Sequence, residues 1–164
     1  MPMTVVENKI ELIYATEPSA VEQARQLFLQ YAKSLNFSLC FQNFEEELRS
    51  LPGAYSLPAG RLLLAMRGSE PAGCVGLRSL DEQTCEMKRL YVRPTMRGLG
   101  VGRLLVDRII EDARSIGYAQ MRLDTVPPLM DDAIAIYRKR GFREIPPYCS
   151  NPEPGAIYME LALL

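Results

Sequence analysis

The stretch from Leu90 to Leu105 constrains the fold more than any other part of the chain. It passes from Leu90-Tyr91-Val92, residues that favour a strand, through Pro94 into a loop with glycines at positions 98, 100 and 102. An apolar stripe at helical spacing then begins at once, through Val101, Leu105, Ile109, Ala113 and Ile116, and stops at Gly117. Strand, glycine turn and helix in immediate succession mean that a helix must pack back onto a sheet. The start of such a helix leaves amide N–H groups without intrahelical partners and adds the positive end of its dipole. That combination suits a phosphate, and the flanking Arg97 and Arg103 carry forks that match phosphate oxygens. A tight turn that binds nothing fits the same glycines, since short glycine motifs recur by chance. The Gly-Lys-Ser/Thr ending of a P-loop is absent.

Around this segment the periodicities predict the order β-α-α-β-β-β-α-β-α-β-β. Ile10 to Tyr14 reads as a first strand, and a helix follows from Pro18, with Ser19 and Glu22 as a capping box. A second helix fits Phe44 to Leu51 with Asn43 as its cap. Arg61 to Met66, Ala72 to Leu80 and Thr84 to Val92 are joined by short turns, the pattern of an antiparallel meander. Met121, Leu123 and Thr125 alternate as a strand, and Asp131 to Arg140 forms a helix closed by Gly141. Phe142 to Ile145 and Ala156 to Leu163 supply two final strands, the last of which offers an edge that permits but does not demand a homodimer. The expectation is one mixed α/β domain over 9–164, with residues 1–8 as an N-terminal extension.

Charge and composition remove whole classes of function. A net charge of −1 supplies no basic field of the kind nucleic-acid binders use, so a local anion site points to a small phosphorylated ligand. No stretch reaches the length of a membrane span. The four cysteines never form a C-x-x-C pair, which implies reduced thiols in a cytoplasmic setting. Histidine is missing altogether, so imidazole acid–base chemistry and His-metal sites are unavailable and no metal is expected.

Within Thr84 to Val92 the alternation slips. Apolar residues stand at odd positions first, Cys85 and Met87, then at even ones, Leu90 and Val92. One extra residue near Lys88-Arg89 would repair the parity, the signature of a β-bulge, and would splay the strand from its next neighbour. Alternatively Tyr91 is simply the inward residue and the strand is regular.

These residues resemble the GNAT N-acetyltransferase superfamily. The resemblance rests on Leu-Tyr-Val-x-Pro, Arg97-x-x-Gly100-x-Gly102, and Ala133-x-x-x-Tyr137-Arg138-x-x-Gly141-Phe142 downstream, and the element order fits over about 9–163. It implies a GNAT-like acyl-CoA N-acyltransferase fold and acetyl-CoA as co-substrate. The diphosphate would be held by the backbone of Arg97, Gly98, Leu99, Gly100, Val101, Gly102 and Arg103, and the pantetheine arm would lie along Leu90, Tyr91 and Val92. Glu86 matches the family's general-base position, and Tyr137 the tyrosine that protonates or positions the departing sulfur; each also reads as an ordinary strand glutamate or core-edge tyrosine. Asp124 is a further candidate base. Met130 departs from the asparagine that many members carry seven residues before the tyrosine.

The expected activity is direct transfer of acetyl to a primary amine of a small molecule in a ternary complex. Alternatives are a non-catalytic acyl-CoA-binding or sensing domain, and acetylation of a protein or peptide amine. Phe37, Phe41, Gln42, Phe44, Tyr148 and Asn151 are the candidates for the acceptor side. The run Glu45-Glu46-Glu47 either attracts a cationic amine or forms a solvated helix face.

Overall fold

The computed structural model describes residues 9–35, 38, 39, 43–127 and 129–164. Along the chain run β1 (Ile10–Tyr14), α1 (Pro18–Ser34), α2 (Phe44–Ser50), β2 (Arg61–Arg67), β3 (Glu70–Ser79), β4 (Thr84–Val92), α3 (Val101–Ile116), β5 (Gln120–Thr125), α4 (Asp131–Lys139), β6 (Arg143–Ile145) and β7 (Ile157–Ala162). The predicted order holds, and β1 and β4 begin and end where the alternation places them.

The strands form one seven-stranded sheet in the order β1-β2-β3-β4-β5-β7-β6. All neighbours are antiparallel except β4 and β5. Apolar residues cover both faces. On one, Val101, Leu105, Ile109 and Ala113 of α3 and Ile134 and Tyr137 of α4 pack with Leu63, Val75, Met121 and Leu123. On the other, Ala24, Leu27 and Phe28 of α1 pack with Tyr55, Leu62 and Leu64. The α3 stripe follows the sequence expectation, with Ile116 partly buried at its end.

Three expectations change. Ser19 lies inside α1, whose cap is Glu17 with no side-chain bond, because Pro18 already occupies the first turn. Asn43 does precede α2, but in the left-handed region and without a capping bond from its side chain. β7 is not an edge: it is inserted between β5 and β6, so the free edge at that end is the three-residue β6. So short an edge offers little for strand-to-strand dimerisation.

The bulge is present, and it shapes everything that follows. The β3–β4 register runs Cys74↔Tyr91 and then Gly76↔Lys88, so β4 spends one residue more than β3 over that interval. Arg89 sits there at φ 62, left-handed backbone that a residue with a Cβ adopts only under constraint. Cys85 and Met87 before the bulge face the α3 core, and so do Leu90 and Val92 after it, while Tyr91 packs into the α1 core. The regular-strand alternative fails: it would place Tyr91 beside Cys85 and Met87, whereas Tyr91 is buried in the opposite layer. β4 pairs with β5 only over Thr84–Glu86, and beyond that the two strands part.

Candidate active site

The divergence of β4 and β5 opens a cleft of about 770 Å³. Leu90, Tyr91 and Val92 line one wall, with Leu123, Asp124 and Thr125 of β5 also facing the cavity. No strand pairs with the β5-facing edge of β4 past Glu86, so that stretch of backbone can pair with an extended ligand that carries amides.

At one end of the cleft stands the glycine loop. The first helical bond of α3 runs from Leu104 N–H to the Gly100 carbonyl at 3.1 Å, and among the described residues the amides from Gly98 to Arg103 donate to nothing else. Gly98 and Gly100 adopt φ +83 and +77, which lets the chain turn sharply enough to aim these donors together. Arg97, Gly98, Gly100, Val101, Gly102 and Arg103 all line the cleft. Leu99 does not; its side chain is 41% exposed and points away, so it is removed from the lining. Unpartnered amides on a helix dipole, between two arginines, form a strong anion site. Gly100→Ala puts a Cβ onto left-handed backbone, at a cost of about 1 kcal/mol. The expected result is an acetyl-CoA KM raised roughly 5–10-fold with kcat little changed, read from initial rates.

Toward the α1 layer the floor of the cleft is polar. Lys88 and Asp124 line it, Glu86 and Arg122 share the same sheet face outside the lining, and the loop between β6 and β7 reaches Glu86, Arg122 and Asp124. Arg78 Nε donates to Glu86 Oε1 at 2.7 Å, and Tyr148 Oη donates to Glu86 Oε2 at 2.6 Å. Arg122 pairs with Glu160 at 2.8 Å and stacks over the Tyr148 ring. Asn151 Nδ2 donates to Asp124 Oδ2 at 3.0 Å, and both residues line the cleft.

The family pattern for the GNAT acetyltransferases matches residues 21–142. The chain belongs to that family. An N-acetyltransferase of Schizosaccharomyces pombe is 38% identical over 148 residues, covering 89% of this chain and 90% of its own. Among solved structures, a GNAT acetyltransferase of Staphylococcus aureus superposes with a TM-score of 0.78 at 21% identity, over 95% of this chain and 100% of its own. An acetyltransferase of Salmonella typhimurium, solved with its cofactor acetyl-CoA, superposes with a TM-score of 0.65 at 20% identity, over 95% of each chain.

In this acetyltransferase Tyr137 lines the cleft from α4, and among the described residues no hydrogen bond engages its hydroxyl. Burial pushes its pKa well above the ordinary tyrosine value, with Tyr31 and Asp124 adding to the rise, so the hydroxyl keeps its proton. Glu86 is placed otherwise than the sequence suggests. It is 1% exposed, both its oxygens are engaged, and it is not part of the cleft wall. The carboxylate that does face the cavity from β5 is Asp124, whose charge acts on Tyr31, Lys88 and Tyr137 alike. Asp132 also lines the cleft, from the exposed first turn of α4.

The acceptor-side candidates divide. Asn151 lines the cleft, Tyr148 closes over Glu86, and Phe44 is buried beneath the Arg89 guanidinium. Phe37, Phe41 and Gln42 lie outside the described residues. Of the acidic run, Glu46 pairs with Arg49 on the surface, while Glu47 turns inward to Arg89. Met130, where the family often has asparagine, accepts from Thr125 Oγ1 at 3.1 Å and Val126 N–H at 3.4 Å through its sulfur, and lines the cleft. Sequence reasoning missed Lys88, a strand lysine that gives no local sign of being buried; only its position within the parity slip could have drawn notice.

Proposed function

We propose that this acetyltransferase moves an acetyl group from acetyl-CoA to the primary amine of a small molecule by direct transfer, both substrates being bound together. The observation that carries the reading is the continuity of the cleft, from the free amides of Gly98 to Arg103, along the unpaired edge of β4, to Asp124 and Tyr137. Acetyl-CoA supplies the activated acetyl thioester. The amides and the two arginines meet its diphosphate, the free edge from Leu90 to Val92 pairs with its arm, and a backbone N–H near Leu90 steadies the thioester oxygen.

An alkylamine at pH 7 is about one part in 10³ unprotonated, a handicap of roughly 4–5 kcal/mol. Asp124 is the group that relieves it. Its Oδ1 has no partner among the described residues, and Asn151 holds the other oxygen. The amine nitrogen forms its bond to the acetyl carbon as the carbon–sulfur bond breaks. Its proton passes to Asp124, and the Tyr137 hydroxyl gives a proton to the departing sulfur. Glu86 serves the site indirectly, fixing Arg78, Tyr148 and Lys88. Cysteine chemistry has little support: burial pushes Cys85 up to about 12, and Cys149, raised chiefly by burial, lies at about 11. An acetyl-enzyme route needs a thiolate that neither supplies.

A panel of primary amines, assayed by thiol release from acetyl-CoA, tests the reading. Intersecting initial-rate lines and CoA release that depends on the amine are expected. Parallel lines would reject direct transfer, and tight acetyl-CoA binding with no amine turned over would leave a binding domain. With the best amine, Asp124→Asn should lower kcat/KM by about 10²–10⁴-fold. Glu86→Gln should cost far less activity, and its pH–rate profile should follow that of the parent enzyme.

A further inference from the structure

The charges beneath the cleft do not cancel in pairs. Arg78 is bonded to Glu86, Arg122 to Glu160, and Arg89 to Glu47 through two contacts of 2.9 Å. Two charged groups on this floor remain open to the cavity. Lys88 Nζ comes no nearer than 3.8 Å to Glu86 Oε1, an oxygen already taken by Arg78, and the described residues give it no hydrogen bond. Asp124 has one free oxygen. Both residues line the same cleft, and Lys88 is only 8% exposed. An ammonium has three donors and no acceptor capacity, so one whose counter-charge lies as far as 3.8 Å away keeps donors to spare for an anion in the cleft.

We infer that Lys88 binds a carboxylate of the acceptor, and that the acceptor is a small α-amino acid whose amine is directed at Asp124. The inference rests on the transferase reading above and narrows its acceptor. The positive site and the negative site face one cavity, as the two ends of a zwitterion require. The Glu86 carboxylate stands 3.8 Å from the lysine on the sheet side, which leaves the ammonium donors free for the cavity. A neutral alkylamine would leave Lys88 unsatisfied, and a peptide N-terminus would bring an amide carbonyl where the carboxylate belongs. Charge-assisted hydrogen bonds of this kind discriminate strongly because the mismatched ligand leaves a buried charge unpaired.

The test compares each of the common L-amino acids with its own carboxamide at saturating acetyl-CoA, reading kcat/KM by thiol release. The best amino acid should exceed its carboxamide by at least about 10-fold, within the range expected for one charged hydrogen bond. Lys88→Met should bring that ratio close to one, with the loss in KM for the acid, and Lys88→Arg should keep most of the preference. The Tm of Lys88→Met should stay level or rise, since a buried charge held only by a 3.8 Å ion pair is replaced by an apolar chain of similar length, and Glu86 keeps Arg78. Carboxamides used as well as acids by the parent enzyme would overturn the inference, whatever the variants do. Acid and amide falling together in Lys88→Met, with a lower Tm, would do the same, because that is what loss of a merely structural partner for Glu86 gives. Turnover of plain alkylamines but of no amino acid would reject the Lys88 assignment and leave the transferase reading intact. No CoA release with any amine would reject the transferase reading itself, and calorimetry with acetyl-CoA alone would show whether the donor site survives.

Discussion

Tyr137→Phe is expected to lower kcat by about 10²-fold or more while the KM for acetyl-CoA and the Tm stay near their starting values. The expected loss rests on one atom, the Tyr137 hydroxyl oxygen. The ring packs among the α3-side core residues, 5.6 Å from the Phe142 ring, and phenylalanine reproduces all of that contact. Tyr137 lines the cleft and no described residue bonds to its hydroxyl, so removing that hydroxyl breaks no hydrogen bond among the described residues. Its proton is needed only when sulfur departs, which places the loss in kcat. Burial holds the Tyr137 pKa well above the ordinary tyrosine value, so the hydroxyl is still a donor at pH 10. The sign follows: a raised pKa keeps the acid form, and the rate should show no decline between pH 8 and pH 10 that traces to Tyr137. Initial rates and thermal melts of the two proteins decide it. A Tm drop with the same fractional loss for every kinetic constant would mean a packing role instead.

The second large effect concerns the bulge. Arg89 is buried, donates through Nε and Nη2 to the Glu47 carboxylate, and lies 5.2 Å over Phe44 and 6.0 Å over Tyr31. It thereby ties α2 and α1 to the one residue of β4 that must adopt left-handed backbone. Glu47→Gln leaves a buried guanidinium without its counter-charge, a change that costs about 3–5 kcal/mol in other buried pairs. For a chain of this size that corresponds to a Tm fall of roughly 10 °C. Replacing Arg89 instead sorts the two contributions. Arg89→Gly loses the ion pair but relieves the backbone, and should be more stable than Arg89→Ala by about 1 kcal/mol. Any of these changes lets the splayed edge relax, so the acetyl-CoA KM should rise along with the loss of stability. Urea unfolding of the three variants gives the order directly, and an alanine variant more stable than the glycine one would show that φ at Arg89 carries no strain.

How far the sequence disclosed this molecule depended on the range of the interaction. The bulge was legible because period-two alternation is a local rule, and its breach at Lys88-Arg89 is visible in nine consecutive residues. The amide cluster was legible for the same reason, since glycine spacing and a helix start lie side by side. The position of β7 between β5 and β6 left no such mark, because pairing between non-neighbouring elements is settled by the packed sheet. Glu86 reads as a solvent-facing strand residue until Arg78, opposite it on β3, and Tyr148, 62 residues away, are brought onto its oxygens. Lys88 was hidden likewise: its burial shows only once β4 is packed in the sheet beside Asp124 of β5 and the distant loop of Cys149. Ser19 shows the reverse error, a capping box read correctly as a pattern but overruled by the proline one residue earlier.

The account depends on the amides from Gly98 to Arg103 gripping a diphosphate while the rest of the carrier lies against β4. Calorimetric titration of the parent protein with acetyl-CoA, and in parallel with S-acetyl-pantetheine, which has the same arm and thioester but no phosphate, measures that grip. The account predicts saturable binding of acetyl-CoA and binding of the truncated thioester weaker by about 10²-fold or more, the worth of two or more charge-assisted contacts. Equal affinities, or no heat with acetyl-CoA, would contradict it.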